Sequence, residues 1–130
     1  MKTITKFIIV IAVSIVLSTV AFGQKTRITF SPGAKSKTVT GTLNGYKSQR
    51  TFVIKVKKGQ TLTTENVGKN HITVGIDAPK GSTYEQDMAA DCHDRNDVNP
   101  TAKGDYIITV TECLKADAFK GTFKFKVAVH

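Results

Sequence analysis

The chain contains no tryptophan, only three prolines, three histidines, two cysteines and two methionines, and its 19 lysines and arginines face just 10 aspartates and glutamates. Each shortage removes a class of function. The histidines, His71, His93 and His130, have no nucleophile-elbow serine motif near any of them, so no hydrolytic triad is expected. Two widely spaced cysteines match no zinc pattern, although Asp91, His93 and Asp94 surround Cys92. Glycine-rich phosphate and dinucleotide loops are absent, as are internal repeats and low-complexity tracts. Asp87, Asp91, Asp94 and Asp97 are of the type that ligates calcium, but the run D-R-N-D-V-N from Asp94 lacks the ordered spacing of a calcium loop and reads as a solvated acidic loop. No enzyme, cofactor or metal is expected.

Outside one N-terminal stretch there is no long apolar run. Lys2 and Lys6 precede the apolar residues 7–17, and Ala21-Phe22-Gly23 sets small residues at the −3 and −1 positions of a cleavage site before Gln24. This is the pattern of a secretory signal peptide over residues 1–23. The apolar run is shorter than the ~20 residues of a spanning helix, so an uncleaved anchor is the second reading, and no membrane span is expected after cleavage. Residues 24–130 then form one domain with one modest core, periplasmic or secreted. Export to an oxidising compartment favours a disulfide between Cys92 and Cys113.

The charge is unevenly placed. Residues 24–76 hold ten basic side chains and one acid, Glu65, whereas residues 77–103 hold six acids against Lys80, Arg95 and Lys103. One reading is solubility with lysines guarding sheet edges. The other is a basic sheet face that attracts anionic cell-envelope glycans. Without a nucleic-acid-binding motif, an exported chain is not expected to bind nucleic acid.

The clearest structural stretch is R-T-F-V-I-K-V-K-K-G-Q-T-L from Arg50. Phe52, Ile54 and Val56 alternate with Val53, Lys55 and Lys57, the period of a half-buried strand. Lys58-Gly59 predicts a hairpin into a strand starting near Leu62, and Asn44-Gly45 predicts another, joining the strand at residues 37–43 to the one from Arg50. Residues 27–30, 72–76, 104–113 and 122–129 read as further strands, that from Gly104 central and covered on both sides near its start. Gly41 inside a strand signals a bulge or a close packing neighbour. Residues 82–103 read as a long loop tied down by Cys92, with a short helical turn over 84–90. About seven or eight short strands and no convincing helix define an all-β chain, an antiparallel β-sandwich. Phe52, Ile54, Val56, Tyr106, Ile108, Val110, Phe123, Phe125 and Val127 are its expected core.

Several of these residues carry a family likeness: Ile28, Phe30 and Gly33, then Gly41, Gly45-Tyr46, the Lys57-Lys58-Gly59-Gln60 turn, Gly104-Asp105-Tyr106 and the closing strand from Phe123. In them the chain resembles the bacterial periplasmic inhibitors of g-type lysozyme and, more distantly, the pre-peptidase C-terminal β-sandwich domains. The resemblance implies a sandwich that blocks a lysozyme, g-type foremost, by pushing loops into its substrate cleft. Related inhibitors of invertebrate-type lysozyme carry a Ser-Gly-x-x-Tyr or Ser-Gly-x-Tyr loop that enters the cleft. Lys103, Gly104 and Tyr106 match it here, with lysine in place of serine. The implied inhibitory loop is Lys103, Gly104, Asp105 and Tyr106. Asp91 and Asp94 join it if the acidic segment shares its end of the sandwich, where it would present a negative patch to a basic lysozyme.

Overall fold

The computed structural model describes residues 25–45, 48–68, 71–86, 92, 94–113 and 120–130. The expected signal segment 1–23, Tyr46, Asp87, Asp91 and His93 lie outside them. The described residues form eight strands: β1 Lys25–Arg27, β2 Ser36–Asn44, β3 Gln49–Val56, β4 Leu62–Asn66, β5 Ile72–Asp77, β6 Arg95–Val98, β7 Gly104–Glu112 and β8 Lys120–Val129. They make two four-stranded sheets, in the orders β1-β3-β7-β5 and β2-β8-β4-β6. The chain is an all-β sandwich, as its alternation predicts.

All odd strands fall in one sheet and all even strands in the other. No two consecutive strands pair, which corrects both expected hairpins. A glycine turn specifies that the chain reverses, not whether it returns beside the strand it left or on the facing sheet. Burial decides the matter here. Phe52, Ile54 and Val56 of β3 and Leu62 and Thr64 of β4 are all buried, so the two strands face one another across the core and each takes its partners from elsewhere in the chain.

Four further expectations change. The first strand is Lys25–Arg27 rather than 27–30, and it pairs with β3 in parallel. The chain crosses to the other sheet and back between them, so both can run the same way. The long loop contains β6, a strand that its polarity hides: Asn96 and Val98 point inward while Arg95 and Asp97 face solvent. Residues 84–86 form no helical turn. Finally, β7 is central but buried on one face only, with Ile107 half-exposed on the other.

Asn96 explains why a polar strand belongs here. Its Nδ2 donates to Val74 O at 2.7 Å and to Thr64 Oγ1 at 3.2 Å, while Gln86 Nε2 donates to its Oδ1 at 3.2 Å. Gln86 Oε1 in turn accepts from Ile76 N–H at 2.8 Å. Side chains thus satisfy the open edge of β5 and close the seam between the sheets on that side.

All nine expected core residues are buried. Phe52 meets Phe123 and Phe125 edge-on at 6.4 and 5.5 Å, and the latter two stack at 6.2 Å. Gly41 lies against Phe123: a Cβ there would sit 2.5 Å from the ring's Cζ. The close neighbour expected of that glycine is therefore an aromatic ring in the core. Gly41→Ala should cost about 1–3 kcal/mol by overpacking, checked by denaturant titration against wild type.

The strand registers define two poles. Val56, Gly104, Leu62 and Val98 end their strands at one; Gln49, Thr111, Asn66 and Arg95 mark the other. Cys92 and Cys113 form the expected disulfide, at the second pole. Cys92 N–H donates to Thr73 Oγ1 at 2.9 Å and Cys113 N–H to His71 O at 3.0 Å, so the acidic excursion is fastened where β5 begins and β7 ends.

Candidate functional site

At the pole where Val56, Gly104, Leu62 and Val98 end their strands, the loop pole, one residue joins two of the segments. Thr101 is 2% exposed. Its hydroxyl donates to Lys57 O at 2.6 Å and accepts from Gln60 N–H at 2.9 Å. Its backbone accepts from Gly59 N–H and donates to Gln60 O, both at 2.8 Å. Gln60 Oε1 closes the same turn by accepting from Lys57 N–H at 2.8 Å. Four hydrogen bonds from one residue thus join the Lys57–Gln60 turn to the segment before β7. In the sequence, Thr101 is one more polar residue after Asn99-Pro100, and nothing there signals this role.

Tyr106 shapes the same segment from beneath. It is 0% exposed. Its hydroxyl accepts from Ala102 N–H at 3.0 Å and donates to Ser82 Oγ at 3.4 Å, tethering the 79–83 turn as well. The tyrosine therefore positions the turn from the core, and the side chains presented outward are Lys103 and Asp105. Gly104 has φ +145° and would place a Cβ 3.0 Å from Pro79 Cβ, so the turn requires glycine.

The charge at this pole is positive. Lys58, Lys80 and Lys103 line a shallow depression of about 390 Å³ with Ser82, Thr101 and Ala102. Asp105 is already engaged: Arg27 Nη1 and Nη2 donate to its two carboxylate oxygens, each at 3.2 Å. These hydrogen bonds hold the Asp105 carboxyl below its ordinary range. A similar pair lies on the other sheet, where Arg95 and the Thr63 hydroxyl hold Asp97 low. Both are solvent-exposed pairs and contribute little to stability.

The structure brings Lys103, Gly104, Asp105 and Tyr106 together but not Asp94. Asp94 O accepts from Asn66 N–H at 2.7 Å, at the disulfide pole. The nine residues of β7 separate the two ends by roughly 25–30 Å. The excursion after β5 has to travel to the far pole, because β6 must run back toward the loop pole to pair with β4. Asp94 therefore does not lie beside Lys103, and Asp91 lies outside the described residues. Among the described residues, no group of three or more histidine, cysteine or carboxylate side chains could hold a metal ion, and no helix is long and apolar enough to cross a membrane.

No family model matches the chain, and no curated protein matches it in sequence. Among solved structures it is similar to PliG of Aeromonas hydrophila, a periplasmic inhibitor of g-type lysozyme, with a TM-score of 0.59 and 21% identity over 81% of this chain and 93% of that one. It is likewise similar to PliG of Salmonella Typhimurium, with a TM-score of 0.61 and 15% identity over 83% and 99%. The pre-peptidase C-terminal domain of a Bacillus anthracis collagenase follows at 0.50 and 17% identity over 83% and 96%. The resemblance drawn from the sequence holds at the level of the fold.

Replacing Thr101 with valine removes two buried side-chain hydrogen bonds at nearly constant volume. It should cost about 1–3 kcal/mol, and amide exchange should accelerate in the Lys57–Gln60 turn before anywhere else.

Proposed function

We propose that this protein is an exported, non-catalytic lysozyme inhibitor, periplasmic or secreted, that blocks a lysozyme cleft with its loop pole. The observation that carries this reading is the rigid end built from the Lys57–Gln60, 79–83 and 99–105 segments on a fold shared with the PliG inhibitors. Rigid loops lose little entropy on insertion, which favours tight binding from a small contact. Lysozyme clefts hold catalytic carboxylates, and Lys103 is the cation on the turn best placed to approach one. Its ammonium takes the part played by serine in the related motif. The pair gains affinity only if desolvated with good geometry.

Net charge bears on the partner. Without the two leader lysines, 17 basic residues stand against 10 acids, so a strongly basic lysozyme would be repelled at long range. A lysozyme with an acidic cleft rim is the better match. The test is to titrate the purified protein against g-type, c-type and invertebrate-type lysozymes. Loss of lytic rate at micromolar inhibitor, greatest for the g-type enzyme, is expected, and undiminished lysis by all three would end the proposal.

A further inference from the structure

On the side of the sandwich away from Asn96 the seam between the sheets stays open. β1 pairs with β3 only over Lys25–Arg27, the last rung being Ile28 N–H to Val53 O at 2.8 Å. The chain then swings out to start β2 at Ser36, leaving the end of β3 without a neighbour on that edge. The result is a groove of about 420 Å³ floored by half-buried Phe30 and Val129 and rimmed by Lys35, Lys55 and Lys57, with Gln60 between.

Three lysines on two separate segments line it with an apolar floor, and no aspartate or glutamate side chain is among its lining residues; the main chain of His130 closes one end. Asp105, opposite Lys55 in the register, is hydrogen-bonded by Arg27 and also feels the charge of Lys55, but it does not line the groove. The main-chain oxygen of His130, at the groove's end, accepts from Thr61 N–H at 2.6 Å. Three like charges around one groove repel, and an anion bound between them would relieve that repulsion. The floor adds a second requirement. A half-buried phenyl ring beside an amide suits the apolar face and hydroxyls of a sugar, and the volume falls in the range of small-molecule sites.

We propose that this groove is a binding site for an anionic saccharide, whose carboxylate lies among Lys35, Lys55 and Lys57 while its ring packs on Phe30. The site is separate from the Lys58, Lys80 and Lys103 depression, on the other side of the Lys57–Gln60 turn, and does not depend on lysozyme inhibition.

N-acetylmuramic acid and N-acetylglucosamine share a ring and an acetamido group and differ by the lactyl carboxylate, so they separate the two requirements. Titrated into the whole protein at low salt and followed by amide shifts, the acid should saturate with shifts at Phe30, Lys35, Lys55 and Lys57. The neutral sugar and inorganic phosphate should each bind at least about tenfold more weakly. A Lys35→Ala, Lys55→Ala double variant should weaken the acid by about fivefold or more, and high salt should do the same. In Lys103→Ala, saccharide binding should be unchanged, so a failed inhibition assay and a failed saccharide titration remain distinct results. Equal binding of both sugars, phosphate binding as strong as the acid's, shifts confined to another surface, or no saturable binding would each overturn the proposal.

Discussion

Phe125→Ala is expected to destabilise the protein by about 3–5 kcal/mol, against a total stability of order 5–15 kcal/mol for a domain of this size. Phe125 is fully buried in β8, a central strand, and its ring contacts both Phe52 of the opposite sheet and Phe123 of its own strand. Truncation removes the link that crosses the core, and the two neighbouring rings cannot both collapse into the space. Lys124, one residue away, projects to solvent and serves as the control. Urea titration of both alanine variants should move the midpoint for Phe125 alone; the opposite outcome would mean that β8 is turned inside out.

Loss of the Cys92–Cys113 bond should be the next largest effect, about 3 kcal/mol on the chain-entropy account, for a loop closed over a separation of 21 residues. Its distinguishing feature is locality. The bond lies at the disulfide pole, one length of β7 from Lys103. The Cys92→Ala, Cys113→Ala double variant should therefore melt earlier yet, at a temperature where it remains folded, inhibit lysozyme as wild type does. A parallel fall in stability and inhibition would show that the acidic excursion helps to form the inhibitory surface after all. Intact mass with and without reduction checks the bond directly.

What the sequence disclosed and what it hid divide along physical lines. Strands with one apolar and one polar phase, such as β3 and β8, announce themselves because alternation is local. Gly41 was legible for the same reason: glycine in the middle of a strand is costly unless something presses against it, and Phe123 does. Pairing was not legible. Asn44-Gly45 and Lys58-Gly59 look like hairpin turns, yet both lead to the facing sheet, a choice made by long-range burial. β6 was missed because its inward residue is Asn96, whose value lies in hydrogen bonds to Val74 O and Thr64 Oγ1 that no local pattern encodes. Thr101 was missed likewise, since its partners Lys57, Gly59 and Gln60 are some forty positions away. The candidate turn was recognised by resemblance, and the strand phase already set Tyr106 in the core; what the fold adds is that the Tyr106 hydroxyl holds the segment before it, with Lys103 facing outward.

The pole assignment also reverses the electrostatic expectation. Asp94, expected beside Lys103, lies one strand length away, while Lys58, Lys80 and Lys103 line the depression at the loop pole. Cations at the rim act mainly on association rate and its salt dependence, whereas a lysine seated against a carboxylate acts on residence time.

The most direct measurement is a comparison of inhibition constants for wild type, Lys103→Ala and Lys55→Ala against a lysozyme that the wild type inhibits. The account predicts that Lys103→Ala weakens inhibition, mainly through faster dissociation, while Lys55→Ala matches wild type. Equal constants for all three proteins would contradict the role of Lys103 and of the turn that carries it.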